Sequence, residues 1–134
     1  MLATLRRAAL ALAFCALATP AALADYSYIV YSPQVLAEAQ ATGKPFLVDF
    51  YATWCPTCHA QERVLTSLYE GDSKYNAIPV IRVDWDTWRR SSLVADWGIP
   101  RRSTLVLMQG TQELGRLVAD TRPEAIKALL DLAL

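Results

Sequence analysis

Residues 46–58 read FLVDFYATWCPTC, an apolar run that ends in two cysteines separated by two residues. Up to Ala52 the run is almost continuously apolar, which predicts a strand buried on both faces, as in the centre of a sheet covered by helices. After Cys55 the apolar spacing becomes that of a helix, which Gly71 ends. The sequence therefore places both cysteines where a buried strand gives way to a helix, and it places one acid, Asp49, inside that strand.

The two cysteines have the spacing of a reversible disulfide. Residues three positions apart on the first turn of a helix are neighbours, close enough for a sulfur–sulfur bond to form. At the helix N-terminus, unpaired N–H groups and the macrodipole favour an anion and lower the pKa of a thiol. We therefore expect Cys55 to be an exposed nucleophile and Cys58 to be a buried resolving thiol. Pro56 suits the first helical turn. We expect Trp54, Pro56 and Thr57 to surround the two cysteines.

Three other interpretations fit the same cysteines. A structural disulfide is disfavoured, because a bridge that encloses only two residues restricts the unfolded chain little. Residues 55–59, CPTCH, match a c-type haem attachment sequence, but a cytochrome of this size is expected to be mostly helical. Two soft thiolates also suit copper(I), as in a metallochaperone or binding module. The oxidoreductase interpretation, which we favour, requires no cofactor and no metal, and zinc would need a second Cys/His pair.

The remaining sequence alternates strand and helix signals without a repeat or a linker, which predicts one α/β domain. Gln109-Gly110-Thr111-Gln112 is a hairpin signal, so the last two strands are expected to be antiparallel. A capping box, Thr121-Arg122-Pro123-Glu124, is expected to open the last helix. The expected order is βαβαβαββα, a mixed sheet with helices on both faces. The predicted strands are 26–31, 46–52, 79–83, 104–108 and 113–118, and the predicted helices are 33–42, 55–69, 87–97 and one that begins after residue 121.

Residues 1–24 have the features of a secretory signal peptide. Arg6 and Arg7 precede an Ala/Leu-rich run, and an A-x-A pattern at 22–24 predicts cleavage before Asp25. We therefore expect a periplasmic, monomeric domain of residues 25–134. The leader holds two of the thirteen basic residues and none of the thirteen acidic ones, so the mature chain carries a net charge of −2. Nucleic acid is not an expected partner, because binding it normally requires a clustered positive face.

Residues 46–58 resemble the active-site strand and loop of the thioredoxin family, and the resemblance covers essentially the whole mature chain. Within that superfamily the chain most resembles the C-terminal periplasmic domain of the membrane disulfide reductase DsbD, which has acids at the positions of Asp49 and Glu62. The resemblance implies that these acids raise the pKa of the nearby thiol and shuttle protons. It also implies a thioredoxin fold, protein disulfide substrates, reductase activity and a membrane thiol reductase as electron donor. The alternatives are an Asp49 that only pairs with Arg82 and a Glu62 that is merely solvated.

One position departs from the family pattern. Thioredoxins resemble one another in having a cis-proline before a threonine, facing the cysteines, whereas here Ser103 precedes Thr104. A cis bond before a non-proline residue is costly, so we expect a trans bond and an altered loop. The Ser103 hydroxyl could then bind a cysteine sulfur; alternatively Pro100 replaces the proline, or Ser103 is only a loop residue. Arg101 and Arg102 beside it either meet an acidic partner or form a solvated loop.

Overall fold

The computed structural model describes residues 25–134, and the predicted signal peptide, residues 1–24, lies outside the described residues. Five strands form one mixed sheet in the order β1-β3-β2-β4-β5. The strands are β1 Ile29–Val30, β2 Pro45–Tyr51, β3 Val80–Asp84, β4 Thr104–Gln109 and β5 Gln112–Val118. The helices are α1 Pro33–Ala41, α2 Pro56–Gly71, α3 Trp85–Trp88, α4 Ser92–Asp96 and α5 Pro123–Asp131, with a 3₁₀ helix at Ser73–Ala77. This architecture confirms the predicted α/β fold with its antiparallel C-terminal hairpin.

Strand β2 lies at the centre of the sheet, as its apolar sequence predicts. It pairs in parallel with β3 and antiparallel with β4. Phe46, Val48 and Phe50 pack into the core under α1 and α4, whereas Leu47 packs into the core under α2 and α5. Because successive side chains of a strand point to opposite faces, helices must cover both sides of the sheet. The carboxyl end of this rigid central strand presents the cysteine motif.

Two predicted elements differ from the structure. The expected strand 26–31 is reduced to Ile29 and Val30, which pair with β3 at the sheet edge and are both exposed. The expected helix 87–97 is divided into α3 and α4. The division has a local cause, because the Ser91 hydroxyl accepts the N–H of Val94 at 3.5 Å and so starts a new helix.

The predicted capping box at the start of α5 is wrong. Arg122, not Thr121, occupies the N-cap, and no side chain caps the helix there. The Asp120 carboxylate instead accepts the Arg122 N–H at 3.0 Å, which organises the turn before the helix. The face of α5 that packs on the sheet is formed by Ile126, Leu129 and Leu130, which are all buried. In the described part of the chain no helix has the length and apolarity to cross a membrane.

Candidate active site

Cys55 is the N-cap residue of α2. Its backbone is extended, and its sulfur accepts the Cys58 N–H at 3.1 Å, which satisfies one of the unpaired donors of the first turn. Both cysteines are free thiols. The expected exposure of Cys55 is wrong, because its exposed fraction is 0% and that of Cys58 is 1%. Cys55 is buried because it packs with Tyr51, Ala52 and Cys58, and Trp85 of α3 packs against this cluster.

Ser103 touches both sulfurs. Its hydroxyl oxygen lies 3.1 Å from the Cys55 Sγ and 3.1 Å from the Cys58 Sγ. This contact confirms the expected hydrogen bond to a cysteine sulfur, and Pro100, which is exposed, does not replace Ser103. All peptide bonds among the described residues are trans. The single hydroxyl can donate to one sulfur while it accepts from the other.

The Ser103 backbone is held in a strained conformation. Its φ of 61° lies in the left-handed region, which costs a residue with a Cβ roughly 1 kcal/mol. Ser103 N–H donates to the Phe50 carbonyl at 2.8 Å, and the Ser103 carbonyl accepts the Ala119 N–H at 2.8 Å. These bonds tie the loop to β2 and to the end of β5. The strain is therefore maintained by the surrounding structure at the point where the hydroxyl meets the sulfurs.

Gln61 is a supporting residue that the sequence analysis missed. Its exposed fraction is 1%, and its amide nitrogen donates to the carbonyl oxygens of Ser103 and Asp120, each at 3.0 Å. The signal was present, because Gln61 follows Cys58 by three positions and precedes Leu65 by four. A polar residue on the buried stripe of a helix indicates a buried hydrogen-bond partner. Gln61 thus links α2 to the loop that holds Ser103.

The environment of the cysteines separates their pKa values. Burial raises the pKa of Cys55, but hydrogen bonds from the Cys58 side chain, the Ser103 hydroxyl and the Cys58 N–H, with the nearby Arg102 guanidinium, outweigh it and lower that pKa overall. Burial and the hydrogen bond to Cys55 raise the pKa of Cys58. Hydrogen bonds to a charged form favour that form. Cys55 is therefore the more acidic thiol of the pair, and Cys58 the less acidic.

Replacing Ser103 by alanine should raise the pKa of Cys55, because the variant lacks a hydroxyl that stabilises the thiolate. The pH dependence of thiolate absorbance and of alkylation rate measures this shift. Ser103→Gly is the matched control: it also lacks the hydroxyl but tolerates a positive φ. We expect both variants to raise the pKa and the glycine variant to be the more stable to urea. An unchanged pKa in both would contradict the role assigned to the hydroxyl.

The two predicted acids share one arginine. Arg82 Nε lies 3.2 Å from an Asp49 carboxylate oxygen, and an Arg82 terminal nitrogen lies 2.9 Å from a Glu62 carboxylate oxygen. Tyr51 donates its hydroxyl to the other Glu62 oxygen at 3.0 Å. The guanidinium carbon lies 3.9 Å from the Tyr28 ring centroid and 3.8 Å from that of Tyr51. The pairing of Asp49 with Arg82 is thus present, Glu62 is ion-paired rather than merely solvated, and the catalytic roles of both acids remain predictions.

The arginine only partly offsets the cost of burying Asp49. Burial raises the pKa of that carboxyl, Arg82 opposes the shift, Glu62 adds to it, and the result is a pKa of about 6. Asp49 is 2% exposed. A carboxyl with this pKa exchanges its proton close to neutrality.

The raised Asp49 pKa predicts a pH-dependent stability. Between about pH 4 and pH 6 the folded protein holds a proton on Asp49 that the unfolded chain has lost. The free energy of unfolding therefore falls as the pH rises, by up to about 3 kcal/mol over this range. Asp49→Asn should flatten this part of the profile. Urea unfolding of both proteins across the range measures the difference. Parallel profiles would contradict the assigned pKa.

The other predicted site residues lie around the cysteines. Pro56 is the first residue of α2 and is exposed, and Thr57 is half-buried. Trp54 is 53% exposed, and its indole N–H donates to the Asp86 carboxylate at 2.8 Å. Within residues 25–134 no three His, Cys, Asp or Glu side chains lie together as a metal site.

The comparisons with known proteins agree with this geometry. The thioredoxin family model matches residues 30–131. The bifunctional thioredoxin reductase/thioredoxin of Mycobacterium leprae is 30% identical over 100 residues, which are 75% of this chain and 21% of that protein. The thiol:disulfide interchange protein DsbE of Tatumella citrea is 48% identical over 33 residues, 25% of this chain and 18% of that protein. The chain thus spans about a fifth of the length of these curated relatives.

One solved structure matches this protein over almost the whole of that structure's chain. The crystal structure of Trxlp from Edwardsiella tarda EIB202 is similar with a TM-score of 0.66 and 36% identity, over 75% of this chain and 98% of that one. The family match includes strands β2 to β5, helix α2 with its two cysteines, and the loop that holds Ser103. The chain belongs to the thioredoxin family of thiol:disulfide oxidoreductases.

Proposed function

We propose that this protein reduces disulfide bonds of other proteins in the periplasm, with Cys55 as nucleophile and Cys58 as resolving thiol. The observation that carries the proposal is the division of roles between two adjacent buried thiols. Cys55 accepts hydrogen bonds that lower its pKa, and Cys58 keeps its proton until it is needed. A thiolate attacks a disulfide far faster than a thiol does.

The reaction consists of two exchanges. The Cys55 thiolate attacks one sulfur of the substrate disulfide, forms a mixed disulfide, and releases the other substrate sulfur as a thiolate. Cys58 then loses its proton, attacks the Cys55 sulfur, and releases the second substrate sulfur. The substrate gains two electrons and two protons, and the protein becomes the Cys55–Cys58 disulfide. Asp49, whose carboxyl has a pKa of about 6, is proposed as the proton acceptor for the second exchange.

The direction and the location rest on further observations. The acids Asp49 and Glu62 match the positions of the acids in the DsbD domain that the sequence resembles, which favours a reductase. The leader at residues 1–24 supports export, and the DsbE similarity is to an interchange protein of the same superfamily. In an oxidising compartment the disulfide must be reduced again by an outside donor, for which we propose a membrane thiol reductase.

Equilibration with glutathione tests the direction. We expect a reduction potential nearer to the thioredoxin value of about −270 mV than to the DsbA value of about −120 mV. The fraction of reduced protein is measured by alkylation and mass spectrometry over a series of glutathione ratios. A potential near the DsbA value would contradict the reductase assignment, while the thiol exchange itself would stand.

A further inference from the structure

A cationic side chain that pairs with no carboxylate among the described residues lies beside the cysteines. Arg102 is in the loop between α4 and β4, directly before Ser103, whose hydroxyl contacts both sulfurs. Its guanidinium carbon lies 4.3 Å from the ring centroid of Trp54, the residue that precedes Cys55. Stacking on an indole holds the guanidinium in place. Arg102 is therefore not part of a solvated loop, which was one of the two interpretations of the sequence.

Part of the hydrogen-bonding capacity of this arginine is unused. Among the described residues Arg102 forms no ion pair, and its Nε is buried without a hydrogen-bond partner. Three other arginines form ion pairs: Arg82 with two carboxylates, Arg116 with Glu113, and Arg122 with Asp120. The carboxylate beside the Trp54 indole, that of Asp86, accepts the indole N–H instead.

We propose that Arg102 is a specificity residue that binds a carboxylate on the substrate, next to the sulfur that Cys55 attacks. The substrate class is disulfides with an acidic side chain or a free carboxylate close to the scissile bond. A guanidinium offers N–H donors in a planar fork that matches a carboxylate, and such charge-assisted bonds are the strong ones in proteins. This inference rests on the proposed thiol exchange and adds its substrate preference.

Three small disulfides that differ in their end group test the inference. These are dithiodipropionate with carboxylates, bis(2-hydroxyethyl) disulfide with neutral hydroxyls, and cystamine with ammonium groups. The second-order rate constant of the reduced protein is measured with each. The readout is the ratio of the carboxylate rate to the neutral rate, because any change in Cys55 reactivity cancels in it. We expect a ratio above one for the wild type and a lower rate with cystamine.

Arg102→Gln should lower this ratio about tenfold. Arg101→Gln is the matched control: it removes the same charge one position away, where the side chain turns back to the Arg102 carbonyl, and it should keep the wild-type ratio. An unchanged ratio in Arg102→Gln, or an equal loss in both variants, would overturn the inference. Failure of the wild type to react with any of the three disulfides would instead overturn the proposed function.

Discussion

Cys58→Ser is expected to accumulate covalent complexes with substrate proteins at the proposed periplasmic location, whereas Cys55→Ser should accumulate about tenfold fewer. The reason is the order of the two exchanges. With Cys55 intact the mixed disulfide still forms, but without the Cys58 thiol nothing adjacent can release the substrate. The proposed resolving role of Cys58 agrees with its contacts: its N–H donates to the Cys55 sulfur, and its own sulfur shares the Ser103 hydroxyl.

Non-reducing purification of both variants, followed by mass spectrometry, measures the trapped fraction and identifies the partners. Recovery of a membrane thiol reductase would identify the electron donor, and recovery of other cysteine proteins would identify substrates. Equal trapping by both variants would contradict the assignment of the nucleophile. Absence of trapping, with covalent haem on the wild type, would instead support the CPTCH alternative at 55–59. Copper that is retained by the wild type and lost from both variants would support the binding module.

The part of the site that could be predicted from the sequence depends on short-range order. The apolar run before Cys55, the proline after it and the spacing to Cys58 together determine the strand, the helix start and the sulfur contact. Each of these follows from residues within one turn or one strand. The helix break at Ser91 was missed because a serine N-cap within a continuous apolar pattern is a weak signal.

The part that could not be predicted depends on packing between distant segments. Cys55 is buried because Trp85 of a separate helix packs against its cluster, and the helix predicted over 87–97 did not include Trp85. Arg82 lies 33 positions from Asp49 and was recognised as one possible partner, but its second bond to Glu62 depends on how α2 lies over the sheet. The position of Ser103 could be located from the family pattern, whereas its positive φ could not.

Arg82→Met should destabilise the fold by about 3–5 kcal/mol, because it leaves the buried Asp49 carboxylate without its counter-charge. The Arg82 side chain is 9% exposed and that of Asp49 is 3% exposed, so water compensates little for the loss. Without the arginine, nothing counteracts the effect of burial on the Asp49 pKa, and that pKa rises further. Asp49 then keeps its proton to higher pH, and a neutral carboxyl is much less costly to bury.

The pH dependence distinguishes this lost ion pairing from lost packing. Methionine keeps an apolar stem but not the guanidinium that contacts the Tyr28 and Tyr51 rings, so the variant loses this stacking together with the charge. Urea unfolding should show a larger difference between Arg82→Met and the wild type at about pH 8 than at about pH 5, because Asp49 is neutral in the variant at the lower value. Adding Asp49→Asn to the variant should restore part of the stability at the higher pH. The loss of stability could instead be the same at both pH values and not be reduced by Asp49→Asn. Arg82 would then act through its packing between the tyrosine rings, and the ion pair with Asp49 would not contribute to stability.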